Sequence, residues 1–165
     1  MNTPIIALRS RPPTIARAAR AIVVGGLLAG TVDIGAAALI NRANVIFILH
    51  AIAGGLLGMA SFRGGTTSAW LGLFLQWGMS LLIAAIFVLA ALRLSWLTAR
   101  PVWAGLAYGI VVFFVMNYVV MFFSAYHRIN HFTPAKFLEN MAAMLIFGLI
   151  IAFSARRFLA DVPRA

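Results

Sequence analysis

Charge is scarce in this chain and falls between long apolar blocks, and that segregation constrains its fold more than any motif does. Four blocks, at roughly 21–40, 68–92, 101–125 and 135–155, reach the length of about 20 apolar residues that a helix needs to cross a bilayer. Hydrophobic residues make up 64% of the 165 and charged ones 10%, against about a quarter charged in soluble domains. There is too little polar surface to cover a water-soluble globule. The expected fold class is therefore all-α, a polytopic transmembrane helical bundle, because in lipid a helix satisfies its own backbone. Pro101 suits the first turn of a helix, where its missing N–H costs nothing. Trp70, Trp96 and Trp103 sit near block ends, where an aromatic belt places them.

The formal net charge of +10 does not point to nucleic acid. The basic residues flank apolar blocks and form no aromatic-interleaved patch. Such flanks are orientation signals and attract anionic headgroups. The chain contains no cysteine, which removes disulfides, thiolate nucleophiles and cysteine-based metal sites. Arg9, Arg11, Arg17 and Arg20 precede the first apolar block as they would in a signal peptide. The block is too long for an ordinary signal core and contains Asp33, so an uncleaved first span is expected.

A fifth apolar stretch, 45–62, is shorter, about 27 Å as a helix, and ends in the turn-like Arg63-Gly64-Gly65. Charge counting separates its two readings. If 45–62 does not cross, nine of the 13 basic residues share a side with both termini and four lie opposite. If it crosses, the split is seven to six, which is no bias. The reading favoured is four full spans plus a short re-entrant or interfacial helix on the outer side, with both termini cytoplasmic. Residues 1–19 then form a basic cytoplasmic tail, 20–157 one transmembrane domain and 158–165 a short cytoplasmic tail.

Gly26-x-x-x-Gly30 and Gly54-x-x-x-Gly58 are patterns of close helix packing in lipid. Helical spacing puts Gly26, Gly30, Asp33 and Ala37 on one face, so Asp33 is expected inside the bundle, as a carboxylate at that depth requires. Gly72, Gln76 and Ser80 align in the next long block; Gly109, Phe113, Asn117 and Ser124 align in the third; Glu139 and Asn140 open the last. In the four-span reading Asp33, Gln76, Asn117 and Asn140 all fall about 4–9 Å to the outer side of their helix midpoints. They would form one polar layer, with His50 reaching in from the short helix. The functional reading of that layer is a site centred on Asp33; the bland one is hydrogen-bonded glue between helices.

His127-x-x-x-His131 reads as a solvated loop and not as a metal site. No metal or cofactor is expected, since the long blocks hold no paired histidines for haem. Phosphate-loop, nucleophile-elbow and zinc-protease motifs do not occur in the sequence. The three acidic residues are Asp33, Glu139 and Asp161, too few for an evident acid–base site, so no enzyme is expected.

Several short stretches carry a family resemblance: Gly30-Thr31-Val32-Asp33-Ile34, Gly55-Leu56-Leu57-Gly58 with Phe62-x-Gly64-Gly65, Leu71-Gly72-Leu73-x-Leu75-Gln76, Gly105-x-x-Tyr108-Gly109 and Met116-Asn117-Tyr118-Val119-Val120. Together they resemble the YagU-like group of small bacterial inner-membrane proteins, over roughly 25–124. The resemblance implies a multi-pass inner-membrane location and supplies no reaction. It also implies a histidine where Gln76 stands, which counts against a protonatable role there. Two functions follow as expectations. One is a structural or accessory component that binds lipid or a membrane partner, which includes a second copy of the chain. The other is a small-solute or ion transporter, or channel subunit, using the polar layer around Asp33.

Overall fold

The computed structural model describes residues 14–127 and 132–160. Among them the chain is all-α, with no strand. The long helices are α1 (Thr14–Asn41), α3 (Gly65–Arg93), α5 (Pro101–Phe123) and α6 (Pro134–Leu159). Shorter ones are α2 (Val45–Leu57), which continues as a 3₁₀ turn over Gly58–Arg63, and α4 (Ser95–Ala99), which joins α3 to α5. Caps match local sequence. Asn44 accepts from the Ile46 N–H to start α2, and Thr133 accepts from the Lys136 N–H to start α6, with Pro134 at its first position.

Helix α1 begins at Thr14, ahead of the expected edge at residue 20, and α6 runs to Leu159, past the expected edge at 157. Ala18 and Leu159 explain both extensions. Each is buried in the core, so the bundle continues beyond the apolar blocks while Arg17, Arg20, Arg156 and Arg157 carry their charges at the same end. The first 13 residues of the expected tail and the last five of the chain lie outside the described residues.

Contacts between helices set their directions. Gly26 faces Leu81, Gly30 faces Ser80, and Asp33 bonds Gln76, so α1 and α3 are antiparallel. The Ser154 hydroxyl near the end of α6 donates to the Ala21 carbonyl near the start of α1 at 3.1 Å, and Lys136 at the start of α6 contacts the Ile40 carbonyl at the end of α1, so α1 and α6 are antiparallel. Gly105 opposes Leu149 and Gly109 opposes Leu145, so α5 and α6 are antiparallel as well. The four long helices thus form an up-down-up-down bundle. The C-terminal ends of α1 and α5 share one end of it with the N-terminal ends of α3 and α6. The core lies along α1, α3, α5 and α6, around Ala29, Ala84, Phe87, Val88, Ala104, Phe147, Ile151 and Ala152.

Five segments among the described residues are long and apolar enough to cross a membrane, Val45–Arg63 included. Length counts residues along the chain and not the path they take. A straight helix would separate residues 47 and 62 by about 22 Å, yet the Phe47 and Phe62 rings lie 5.2 Å apart and His50 Nε2 lies 2.9 Å from the Gly65 carbonyl oxygen. The segment doubles back at Gly58, whose φ of +60° is left-handed backbone that favours glycine. Both ends of this hairpin therefore sit at the bundle end where α1 stops and α3 starts.

Candidate functional site

The site is built where α3 and α5 diverge. Nearer the other end of the bundle they touch: the Tyr108 hydroxyl donates to the Ile83 carbonyl at 2.7 Å, and the Phe87 and Tyr108 rings pack at 5.0 Å. Toward the hairpin end a cavity of about 640 Å³ opens between Leu75, Gln76 and Met79 of α3 and Met116, Val119 and Val120 of α5. Ala37 and Asn41 of α1 close a third side, and Ile48, Ala51, Ile52 and Gly55 of α2 form its roof. The lining is largely apolar, with Gln76, Asn41, Ser124 and Tyr126 as its polar side chains. Sites for small molecules are commonly apolar clefts of about 300–1,000 Å³ with a few placed polar groups.

Local structure explains the space. Residues Val115–Val120 of α5 form a π-helical turn, with the Met121 N–H bonded to the Met116 carbonyl. Such turns insert extra backbone into a helix and recur at functional sites. Here the turn carries Met116, Val119 and Val120 along the cavity wall. The roof is latched to the end of α5. The Ala125 N–H donates to the Gly55 carbonyl at 2.7 Å, and the Tyr126 hydroxyl donates to the Ala51 carbonyl at 3.0 Å.

Of the expected polar layer, the structure joins Asp33 and Gln76. The Gln76 Nε2 donates to an Asp33 carboxylate oxygen at 2.7 Å. This bond holds the carboxamide against α1 while Gln76 lines the cavity. Asn117 lies in the π turn, and its Nδ2 donates to the Phe113 carbonyl at 2.9 Å. Asn140 Nδ2 donates to the Lys136 carbonyl of its own helix at 2.8 Å. Glu139 pairs with Lys136 at 3.1 Å, and the Lys136 ammonium also contacts the Ile40 carbonyl. His50 binds the hairpin to the start of α3 through Gly65 and does not line the cavity. Asp33 and Glu139, the two carboxylates an acid–base pair would require, are held by different partners.

The glycines divide by role. A Cβ at Gly26 would stand 2.9 Å from Leu81 Cα, and one at Gly109 2.9 Å from Leu145 Cα. Gly30 abuts the Ser80 side chain, and Gly72 abuts the Leu49 backbone, seating α2 on α3. Gly54 lies under the Tyr126 ring and against Ser61 of the returning arm. Gly58, grouped with the packing glycines from its spacing, instead makes the turn, and a Cβ there would meet nothing closer than 4.0 Å. Gly105, which enters the sequence reading only through the family resemblance, and Gly148, which does not enter it, meet at the α5–α6 crossing. The Gly105-x-x-x-Gly109 spacing was the available signal. Sequence reasoning also passed over Tyr126, for which no local signal exists, because its partner lies 75 residues away.

No group of three metal-ligating side chains occurs among the described residues. His127 is exposed, with φ of +44°, and His131 lies outside the described residues. No family model, curated protein or solved structure matches this chain. The site's own chemistry must therefore carry the functional reading. Five long apolar helical segments make the chain a multi-pass membrane protein.

Proposed function

We propose that the chain is a four-span protein of the bacterial inner membrane, with both termini cytoplasmic and the Val45–Arg63 hairpin re-entrant or interfacial on the outer side. In that setting it acts as an accessory component that takes an apolar molecule from the bilayer into the cavity between α3 and α5. The cavity's apolar lining is the observation that carries this reading. A hydrocarbon ligand needs little from a wall beyond van der Waals contact and exclusion from water. A path for ions or small polar solutes would need polar groups along its length. The four polar side chains of the lining are each bonded within the protein: Gln76 to Asp33, Asn41 to the Ala37 carbonyl, Ser124 to the Met121 carbonyl and Tyr126 to the Ala51 carbonyl.

The topology also matches the basic residues. Arg93 and Arg100 flank the α3–α5 connection, at the same end as Arg17, Arg20, Arg156 and Arg157. The hairpin end carries Arg42, Arg63 and Lys136. The first set would face the cytoplasm.

Single cysteines test the reading in a chain that has no native one. Gln76→Cys and Met116→Cys line the cavity, and Thr66→Cys is an exposed control at the start of α3. In intact cells treated with a small charged thiol reagent, the control should react and the two cavity positions should stay unlabelled. Labelling of both at rates near the control would mean a water-filled cavity and would replace this reading with solute transport.

A further inference from the structure

The cavity has a mouth, a roof and a rim, and the three differ chemically. Its mouth is framed by Leu56, Val119 and Phe123, which line the cavity yet are 63%, 48% and 78% exposed. In a bilayer these side chains face lipid, so the opening is lateral and not toward water. Three of the lining side chains are the methionines Met79, Met116 and Met121. Methionine is unbranched and adaptable and suits a flexible occupant better than a rigid one. At the outer rim stands Asn41, followed by Arg42 at the α1–α2 turn. Arg42 is exposed and held at φ of +49°, an uncommon conformation for a residue other than glycine. Among the described residues the one ion pair is Lys136 with Glu139, so Arg42 shares with the other described arginines the lack of a carboxylate partner and differs from them in directly following the lining residue Asn41.

We infer that the cavity binds one acyl chain of an anionic glycerophospholipid, whose phosphate is held at the rim by Arg42 and Asn41. This rests on the lipid-binding reading above and deepens it by naming the ligand. The chain enters sideways past Leu56, Val119 and Phe123 and lies under α2. The arginine guanidinium presents paired donors that match phosphate oxygens, and the Asn41 amide, which spends one N–H on the Ala37 carbonyl at 2.8 Å, keeps a second for the phosphate. Gln76, fixed by Asp33, stands in the channel wall one turn short of Met79. Charge complementarity selects the occupant: an unpaired cation beside an apolar chamber suits an anionic headgroup on a hydrocarbon tail.

The test uses the full chain purified in mild detergent and offered either palmitoyl-oleoyl-phosphatidylglycerol or palmitoyl-oleoyl-phosphatidylcholine, with bound lipid counted by native mass spectrometry. The wild type should retain one phosphatidylglycerol and hold phosphatidylcholine at least five-fold more weakly. Arg42→Gln should bring phosphatidylglycerol down to the phosphatidylcholine level without changing the latter. Ala37→Phe, which fills the cavity, should reduce retention of both lipids at least ten-fold. Met79→Leu, which conserves volume, should retain phosphatidylglycerol as the wild type does, and circular dichroism should report the same helix content throughout. An Arg42→Gln protein that still prefers phosphatidylglycerol overturns the headgroup assignment and leaves the cavity reading standing. Full retention in folded Ala37→Phe overturns the cavity as the lipid site. A folded wild type that retains neither lipid overturns both this inference and the accessory lipid-binding reading.

Discussion

Helix α5 has two halves that solve opposite problems. Its first half carries Gly105 and Gly109, and α6 brings Gly148 against them so that the two backbones nearly touch. Its second half carries the π turn and Met116, Val119 and Val120, and there it stands away from α3 and leaves a cavity of about 640 Å³. Both halves are almost wholly apolar, so hydropathy does not distinguish them. Side-chain volume at the crossing and backbone regularity do. In lipid, helices gain no hydrophobic drive from meeting each other, and close packing of small residues supplies the attraction. Toward α3 no α5 glycine forms such a seam, and along the irregular turn the two helices part and a site becomes available.

Four substitutions would break or sharpen that contrast. The largest effect should come from Gly109→Leu in the tight half. The side chain would have to displace the Met144–Leu145 backbone, and overpacking of this kind costs about 1–3 kcal/mol or more. Folded protein should fail to accumulate, or should lose its helical signal at markedly lower temperature in detergent; an unchanged thermal midpoint would mean the seam is loose. Gly58→Val at the hairpin turn should cost about 1–2 kcal/mol because φ is positive there, measured by the same thermal transition. Tyr126→Phe removes the hydroxyl that latches the roof to Ala51 and should cost about 0.5–1.5 kcal/mol. Faster hydrogen exchange confined to α2 would accompany it. Gly78→Ala should go the other way. Nothing lies within 4 Å of a Cβ placed there, so the helix should gain up to about 1 kcal/mol; a loss would reveal a contact at that surface.

Parts of this architecture were legible in the sequence for identifiable reasons. The long helices follow from apolar blocks of spanning length, and the Asp33–Gln76 contact follows from helical spacing together with the cost of a carboxylate facing lipid. The imbalance of basic residues sets Val45–Arg63 apart from the four longer blocks, and its bent path comes from the Phe47–Phe62 contact, which the charge count does not encode. The wider polar layer was misjudged in part because depth along a helix does not specify direction around it. Asn140 can reach the carbonyl four residues back, and that local bond competes with any partner across the bundle. The cavity was not legible at all. It depends on a π turn, which has no sequence signature here, and on a roof latched from a residue far along the chain.

The proposed four-span topology requires that Val45–Arg63 enter and leave the membrane on the same side. Asn44 and Thr66 bracket that segment and are both exposed, which makes them the most direct probes. Asn44→Cys and Thr66→Cys, each as the single cysteine, would be treated in intact cells with a membrane-impermeant thiol reagent, beside Ser95→Cys at the α3–α4 junction. Asn44→Cys and Thr66→Cys should both label, and Ser95→Cys should label only after the membrane is permeabilised. Labelling of Asn44→Cys without Thr66→Cys, or the reverse, would mean that the segment crosses the membrane, and would contradict the four-span fold and the placement of its cavity.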